Sequence, residues 1–156
     1  MLTVTTTTHY EPAIRAVFAS DPAVAKQWHV AAPCTLDEAV AHTVLALKTA
    51  DDDFVFYEIH DGDALVGYFG VEENYNYLPT FGLVKSARTH KNKLALVGFF
   101  RKFTDAFRPY GVGANACNAP VLRFLNGLPE LERVPFMGAH FIYFSEPPCL
   151  PSSLQA

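Results

Sequence analysis

The sequence predicts an α/β (α+β) domain built as a mixed, mostly antiparallel sheet flanked by helices. Runs rich in β-branched and aromatic residues alternate with apolar stripes of helical period, and one tight-turn signal joins two of these runs directly. Half of the 156 residues are hydrophobic, which is enough for one compact core. We therefore expect a single domain over residues 1–145.

The first half of the chain alternates strand and helix patterns. Residues 2–8 are rich in β-branched side chains and predict a first strand. Pro12 is typical of the first turn of a helix, and a second helix is expected after the capping box T-L-D-E of residues 35–38. The apolar runs on either side of H-D-G-D predict two antiparallel strands, because Gly62 suits the tight turn between them.

The second half continues the alternation. Residues 77–87 predict another strand, in which Pro79 indicates an edge or a bulge. An apolar stripe over residues 92–108 predicts a long amphipathic helix with basic residues on its other side. Asn118 is in a position to cap a further helix that ends at Gly127, and the segment VPFMGAHFIYFS predicts the closing strands.

The last residues, 146–156, differ in composition from the domain. They contain three prolines and no hydrophobic periodicity, so we expect an extended arm. Because the φ angles of its prolines are fixed, such an arm loses little conformational entropy when it becomes ordered, and Leu150 and Leu154 would be its apolar anchors. This composition favours a protein partner in an assembly.

Charge is distributed unevenly along the chain, although the net charge is only −4. Residues 1–73 carry 12 acidic and 3 basic side chains, whereas residues 85–108 carry 7 basic side chains and one acid, Asp105. The basic stretch suits an anionic ligand such as a phosphate or a pyrophosphate, and a solvated helix face explains it equally well. The acidic first half would repel a nucleic-acid backbone, so we expect no nucleic-acid partner.

Membrane and metal sites are not encoded in any recognisable pattern. No apolar run approaches the roughly 18 residues of a membrane helix, and the first residues lack the basic and apolar regions of a signal peptide. Cys34, Cys117 and Cys149 form no C-x-x-C pair, and the six histidines lack ligand spacing. We expect no membrane span, no secretion by a signal peptide, no metal and a reduced compartment.

The order of predicted elements resembles that of the GNAT superfamily, the acyl-CoA-dependent N-acetyltransferases. The stretch ALVGYF at residues 64–69 resembles that family's third strand, and NAPVLRFLNGL at 118–128 resembles its strand-end Asn and last helix. The resemblance covers nearly all of residues 2–145 and implies a GNAT-like fold. It also implies that the fourth and fifth strands splay apart and admit the acyl-pantetheine arm of acetyl-CoA.

The resemblance implies where this cofactor would bind. In the family, the pyrophosphate meets free amides in the turn before the long helix, where unpaired N–H groups and the helix dipole favour an anion. By position, the cofactor-binding residues of this chain are Leu83, Val84, Arg88, Lys91, Lys93 and Asn118.

The turn departs from the family pattern. The family motif runs Arg or Gln, two residues, Gly, one residue, then Gly or Ala, whereas residues 88–95 read R-T-H-K-N-K-L-A. In one register the glycine positions hold Lys91 and Lys93, and in the other they hold Lys93 and Ala95. We therefore expect CoA to bind weakly or not at all, with a dissociation constant no better than about 1 mM.

The usual catalytic acid of the family is also absent. An N-acetyltransferase must deprotonate an amine and return a proton to the leaving thiolate. In many family members a tyrosine seven residues after the strand-end Asn gives that proton, and this position holds Leu125. Glu72 and Glu73 are the candidate catalytic residues, as bases acting through water, and solvated loop-edge acids are the simpler interpretation of both.

A narrower resemblance in the C-terminal half is to small GNAT-like proteins of short-tailed bacteriophages, some of which are virion components. It rests on N-A-P-V-L-R-F-L at residues 118–125, after a basic, Phe-rich helix. It implies a structural or interaction protein of the virion or the host cytoplasm, with weak or no acetyl transfer. The alternative is an acetyl-CoA-dependent N-acetyltransferase that acts on an amine of a small molecule or a protein.

Overall fold

One sheet forms the centre of the molecule in the computed structural model, which describes residues 1–23, 35–49, 53–73, 77–103, 110–115, 119–129, 131–135 and 140–144. The strands are β1 (Leu2–Thr6), β2 (Phe54–Asp61), β3 (Ala64–Glu72), β4 (Tyr77–Leu83), β5 (Gly111–Asn115), β6 (Glu132–Pro135) and β7 (His140–Phe144). The helices that pack on them are α1 (Glu11–Ser20), α2 (Leu36–Lys48), α3 (His90–Phe103) and α4 (Ala119–Asn126).

The sheet is mixed and mostly antiparallel, as the sequence predicts. Its seven strands lie in the order β1-β2-β3-β4-β5-β7-β6, and β4 with β5 is the parallel pair among them. The predicted hairpin joins β2 to β3, with Gly62 at φ +61° in the turn. A left-handed φ of this kind costs glycine little, because glycine has no Cβ.

Helices α1 and α2 cover one face of the sheet. The predicted capping box starts α2: Thr35 Oγ1 accepts from the N–H of Glu38 at 3.2 Å, and the Glu38 carboxylate accepts from the N–H of Thr35 at 2.9 Å. The buried residues of this layer are Ala13, Ile14, Val17, Phe18, Ala39, Val40, Phe56 and Tyr68. The apolar stripes of both helices therefore meet the alternating side chains of β2 and β3.

Helices α3 and α4 pack with the core of the opposite face. Its centre is aromatic: the ring of Phe100 lies 5.9 Å from that of Phe69 and 5.3 Å from that of Phe81, edge to face in both cases. Leu96 of α3 and Leu125 of α4 are buried in the same cluster. Burial of this stripe leaves Lys91, Arg101 and Lys102 of α3 exposed, whereas Lys93 is half-buried.

Three details differ from the sequence-based expectations. β4 ends at Leu83 and is followed by a 3₁₀ turn, Lys85–Ala87, where the sequence predicted a continuous strand. Pro79 lies in an interior strand, beside a register shift in which two residues of β4 oppose one of β3, so it marks a bulge and not an edge. α3 begins at His90, two residues earlier than predicted, because Thr89 caps it.

Two expectations fall on residues outside the described ranges. They are the arm at 146–156 and the cap at Asn118. Within the described ranges, no helix combines the length and apolar character needed to cross a bilayer. No cluster of three potential metal ligands occurs in that part of the chain either.

Candidate functional site

The parallel strands β4 and β5 diverge soon after they meet. Their ladder has two register pairs, Tyr77 with Gly111 and Leu78 with Val112. Beyond these pairs β4 stays paired with β3 as far as Leu83, and β5 stays paired with β7 along its whole length. The two strands therefore form a fork, which is closed at Tyr77 and open towards the start of α3.

A cavity of about 90 Å³ lies against the last residues of β4, towards the open side of this fork. Its lining comes from α1, β3, β4, the turn after β4, α3 and α4: Val17, Tyr68, Phe81, Gly82, Leu83, Arg88, Lys93, Leu96, Pro120, Val121 and Phe124. Val17 and Tyr68 belong to the core layer on the α1 side, whereas Leu83 and Leu96 belong to the layer on the α3 side. The cavity therefore has walls from both faces of the sheet.

The main chain of β4 borders this cavity with polar groups. The N–H of Val84 donates to the carbonyl of Val66 in β3 at 2.8 Å, so the polar groups of Val84 point towards β3. Because successive residues of a strand point their main-chain groups in opposite directions, those of Leu83 face the fork. The carbonyl of Leu83 accepts from Nε of Arg88 at 3.0 Å.

The turn between β4 and α3 uses several of its own amides. The N–H of Ala87 donates to the carbonyl of Val84 at 2.9 Å, and the N–H of Asn92 donates to Oγ1 of Thr89 at 3.2 Å. His90 and Lys91 are the first two helical residues, whose N–H groups have no partner within a helix. Among the described residues these two amides find no acceptor, and they remain for an anion.

The mouth of the cavity carries positive charge. Lys93 lines the cavity, whereas Lys91, two residues earlier in the helix, is exposed and lies outside the lining. Neither lysine has a carboxylate partner among the described residues. Arg88 also lines the cavity, but its Nη1 donates to Oδ2 of Asp21 at 2.6 Å. Lys93 is therefore the cation of the described lining that is available to an anionic ligand.

Tyr68 is the proton-bearing side chain that the sequence pattern did not identify. A Cβ at Gly82 would lie 3.4 Å from Cε1 and 3.6 Å from Cζ of Tyr68, so the phenol ring from β3 lies across the glycine of β4. Burial raises the pKa of Tyr68 from 10.0 to about 12, and the hydroxyl is protonated at neutral pH, as that of an ordinary tyrosine is. α4 contributes only Pro120, Val121 and Phe124 to the lining, and Leu125 is fully buried in the core.

The two candidate bases lie at the closed end of the fork. Glu72 pairs in register with Tyr77, and Glu73 is exposed. Burial, and then the charge of Glu72, raise the pKa of Tyr77 to about 12. Neither carboxylate lines the cavity. Their role as bases stays a prediction.

The predicted cofactor residues divide into three groups. Leu83, Arg88 and Lys93 line the cavity. Val84 packs with the α1 layer and bonds to β3, and Lys91 is exposed outside the lining. Asn118 lies outside the described residues.

Known proteins resemble this chain in structure and not in sequence. No protein-family model matches it, and neither does any curated protein. An acetyltransferase from Thermus thermophilus has a TM-score of 0.69 at 18% identity, over 92% of this chain and 95% of that one. The PaiA N-acetyltransferase from Thermoplasma acidophilum, in complex with coenzyme A, has a TM-score of 0.57 at 12% identity, over 91% and 98%.

A third similar structure contains both a cofactor and an acceptor. Spermidine N-acetyltransferase from Vibrio cholerae, in complex with CoA and spermine, has a TM-score of 0.59 at 9% identity, over 92% of each chain. The chain therefore has the GNAT-like fold that the resemblance implied. The hypothesis of a phage virion component gains no support from these three structures, since none is described as one.

Proposed function

We propose that the chain is an acetyl-CoA-dependent N-acetyltransferase that acts on an amine of a small molecule or a protein. The observation that carries this proposal is the fork between β4 and β5, with a cavity lined from both faces of the sheet. Fold alone does not establish activity, so the proposal depends on what the residues of this fork can do.

The fork fits the chemistry of an acyl-pantetheine arm. Such an arm is a thin, extended chain with two amide groups, and the diverging strand edges offer main-chain partners for amides. Leu83, Phe81 and Leu96 supply apolar walls. The phosphates at the far end of the cofactor would meet Lys93 and the free amides at the start of α3.

The site also holds a group that can complete the reaction. Acetyl-CoA would supply a thioester, at whose carbonyl carbon a C–N bond forms and the C–S bond breaks. Tyr68 would give its phenol proton to the departing thiolate, and the phenolate would recover a proton from the acylated amine by way of solvent. The hydroxyl is protonated at neutral pH, and Gly82 places no side chain over the ring.

Two of the similar structures support the choice of ligand. The descriptions of the Thermoplasma and Vibrio structures include coenzyme A, and that of the Vibrio structure includes spermine. An amine acceptor is also consistent with the charge of this chain. The acidic excess in residues 1–73 would attract a cation, and the basic stretch in 85–108 would attract the anionic cofactor.

Isothermal titration with acetyl-CoA, followed by a thiol-release assay, tests the proposal. We expect saturable binding of one acetyl-CoA per chain, and CoA release that depends on an added amine such as a polyamine or an N-terminal peptide. Binding weaker than about 1 mM together with no amine-dependent thiol release would contradict the proposal. That result would favour the interaction protein suggested by the phage resemblance.

A further inference from the structure

Two side chains tie the turn between β4 and α3 to the end of α1. Ser20 Oγ accepts from the main-chain N–H of Lys85 at 2.9 Å. Arg88 donates from Nη1 to Asp21 Oδ2 at 2.6 Å and from Nε to the carbonyl of Leu83 at 3.0 Å. We call the second set, Asp21, Arg88 and the Leu83 carbonyl, the brace.

The brace is shielded from solvent. The side chains of Arg88 and Asp21 are 22% and 14% exposed, so their pair is held in a less polar environment than a surface ion pair. The Asp21 carboxylate cancels most of the field of the guanidinium at short range. Arg88 therefore presents less charge to an incoming anion than its place in the cavity wall suggests.

Lys93 is placed differently in the same wall. It lines the cavity, and no carboxylate lies within ion-pair distance of it among the described residues. Its ammonium group keeps its full charge for a ligand. The two cations of the lining thus divide into one that is paired with protein groups and one that is available.

We propose that Arg88 is a positioning residue, which holds the Leu83 main chain and the turn against α1, and that Lys93 supplies the charge for the ligand phosphates. This inference rests on the proposed function. Asp21 is then part of the cofactor site without touching the cofactor. It lies directly after α1, so the brace also connects the cofactor turn to the chain segment that follows α1.

The substitution Asp21→Asn separates this role from a direct phosphate contact by the sign of its effect. If Arg88 acts as part of the brace, the substitution loosens the main chain at Leu83 and weakens ligand binding. If Arg88 binds phosphate, the substitution releases its guanidinium from a competing carboxylate and strengthens CoA binding. The two roles therefore predict opposite changes in the dissociation constant of CoA.

A pair of ligands separates positioning from charge. CoA carries phosphates, whereas pantetheine has the same thiol and amides without them. We expect Asp21→Asn to raise the dissociation constants of CoA and of pantetheine by a similar factor, about tenfold. This factor corresponds to the loss of one charge-assisted hydrogen bond. We expect Lys93→Met, which keeps an apolar stem, to weaken the binding of CoA and to leave the binding of pantetheine unchanged. Calorimetry for CoA and NMR shift titration for pantetheine measure these changes.

The control is Asp37→Asn, which breaks an exposed ion pair with Arg15 that is not part of the brace, and we expect it to change neither affinity. If Asp21→Asn does not fold, Arg88→Lys provides the test, because lysine keeps the charge and loses the fork of donors. If the brace has the proposed role, this variant binds both CoA and pantetheine more weakly.

Three results would overturn the inference. They are tighter CoA binding by Asp21→Asn, loss of CoA affinity with unchanged pantetheine affinity in the same variant, and full CoA affinity in Arg88→Lys. If the unmodified protein binds neither ligand, the proposed function itself fails, and the inference falls with it. That outcome differs from the other three because no variant is needed to see it.

Discussion

Gly82 determines what the cavity contains on the α1 side. A side chain at this position would meet Val17 Cγ1 at 3.0 Å and the Tyr68 ring at 3.4 Å, so the glycine makes room for the phenol. The proposed proton donor, Tyr68, thus lies in β3, whereas the family pattern places the donor in the last helix. Because residue 82 is glycine, the Tyr68 ring has room to reach the cavity and to act as this donor.

Replacing Tyr68 by Phe tests that role. The ring and its packing on Phe56 remain, whereas the proton is lost, so we expect kcat to fall about 100-fold with little change in the KM for acetyl-CoA. Steady-state kinetics with a saturating amine measure this. Tyr143→Phe is the matched control, since Tyr143 is equally buried and its hydroxyl donates to Asn126 Oδ1 at 2.8 Å. An unchanged kcat in Tyr68→Phe would exclude Tyr68 as the donor.

The buried phenols also predict how stability depends on pH. Burial raises the pKa of Tyr68 and of Tyr77 from 10.0 to about 12. Between these values the folded protein holds protons that the unfolded chain has released. The stabilisation is therefore complete below pH 10 and is lost as the pH rises towards 12, by at most about 1.4 kcal/mol per pH unit for each tyrosine.

Urea unfolding at pH 9 and pH 11 measures this loss. We expect the unfolding free energy of the unmodified protein to fall between the two values, and we expect the variant Tyr68→Phe with Tyr77→Phe to show a shallower fall. Equal falls in both proteins would mean that other groups cause the alkaline instability.

At the residue scale, position along the chain led to three residues that the structure places at the cavity, and their role in binding a cofactor stays a prediction. Leu83 ends β4, Arg88 and Lys93 follow it closely, and all three line the cavity. Tyr68 could not be identified in this way. Its contact with Gly82 depends on the register between β3 and β4, which no local pattern encodes.

At the scale of elements, the closed end of the fork depends on a tight contact between β4 and β5. A Cβ on Gly113 would collide with the hydroxyl of Tyr77, so the two strands approach closely only because residue 113 is glycine. We expect Gly113→Ala to lower the unfolding free energy by about 1–3 kcal/mol, the usual cost of overpacking.

Adding Tyr77→Phe to Gly113→Ala removes the atom that collides. We expect this second change to recover a large part of the lost stability in urea unfolding. The single variant Tyr77→Phe serves as the reference for the double-variant cycle. If the two effects are simply additive, the contact does not determine the approach of the strands.

The elements themselves were largely predictable because their signals are local. The capping box at Thr35, the turn at Gly62 and the apolar stripe of α3 each act within a few residues. The end of β4 at Leu83 could not be predicted from local signals. Ser20 of α1 binds the N–H of Lys85 across 65 residues of sequence, and this long-range bond helps to turn the chain after Leu83.

At the scale of the whole molecule, the proline-rich arm gives a separate prediction. Residues 146–156 contain two apolar anchors, Leu150 and Leu154, and the arm is expected to contact another chain. Deletion of residues 147–156 should then impair assembly and leave the melting temperature of the domain nearly unchanged. Light scattering and thermal unfolding measure the two effects. Normal assembly, or a melting temperature several degrees lower, would contradict an intermolecular role.

The short ladder between β4 and β5 has a consequence for cooperativity. Two register pairs join a four-stranded half, β1 to β4, to a three-stranded half, β5 to β7, so backbone hydrogen bonding across this seam is sparse. A ligand that forms hydrogen bonds with the main chains of both β4 and β5 would act as an additional strand and connect the two halves of the sheet. Amides of β5 and β7 should then exchange more slowly with deuterium when ligand is bound, including amides that the ligand never touches.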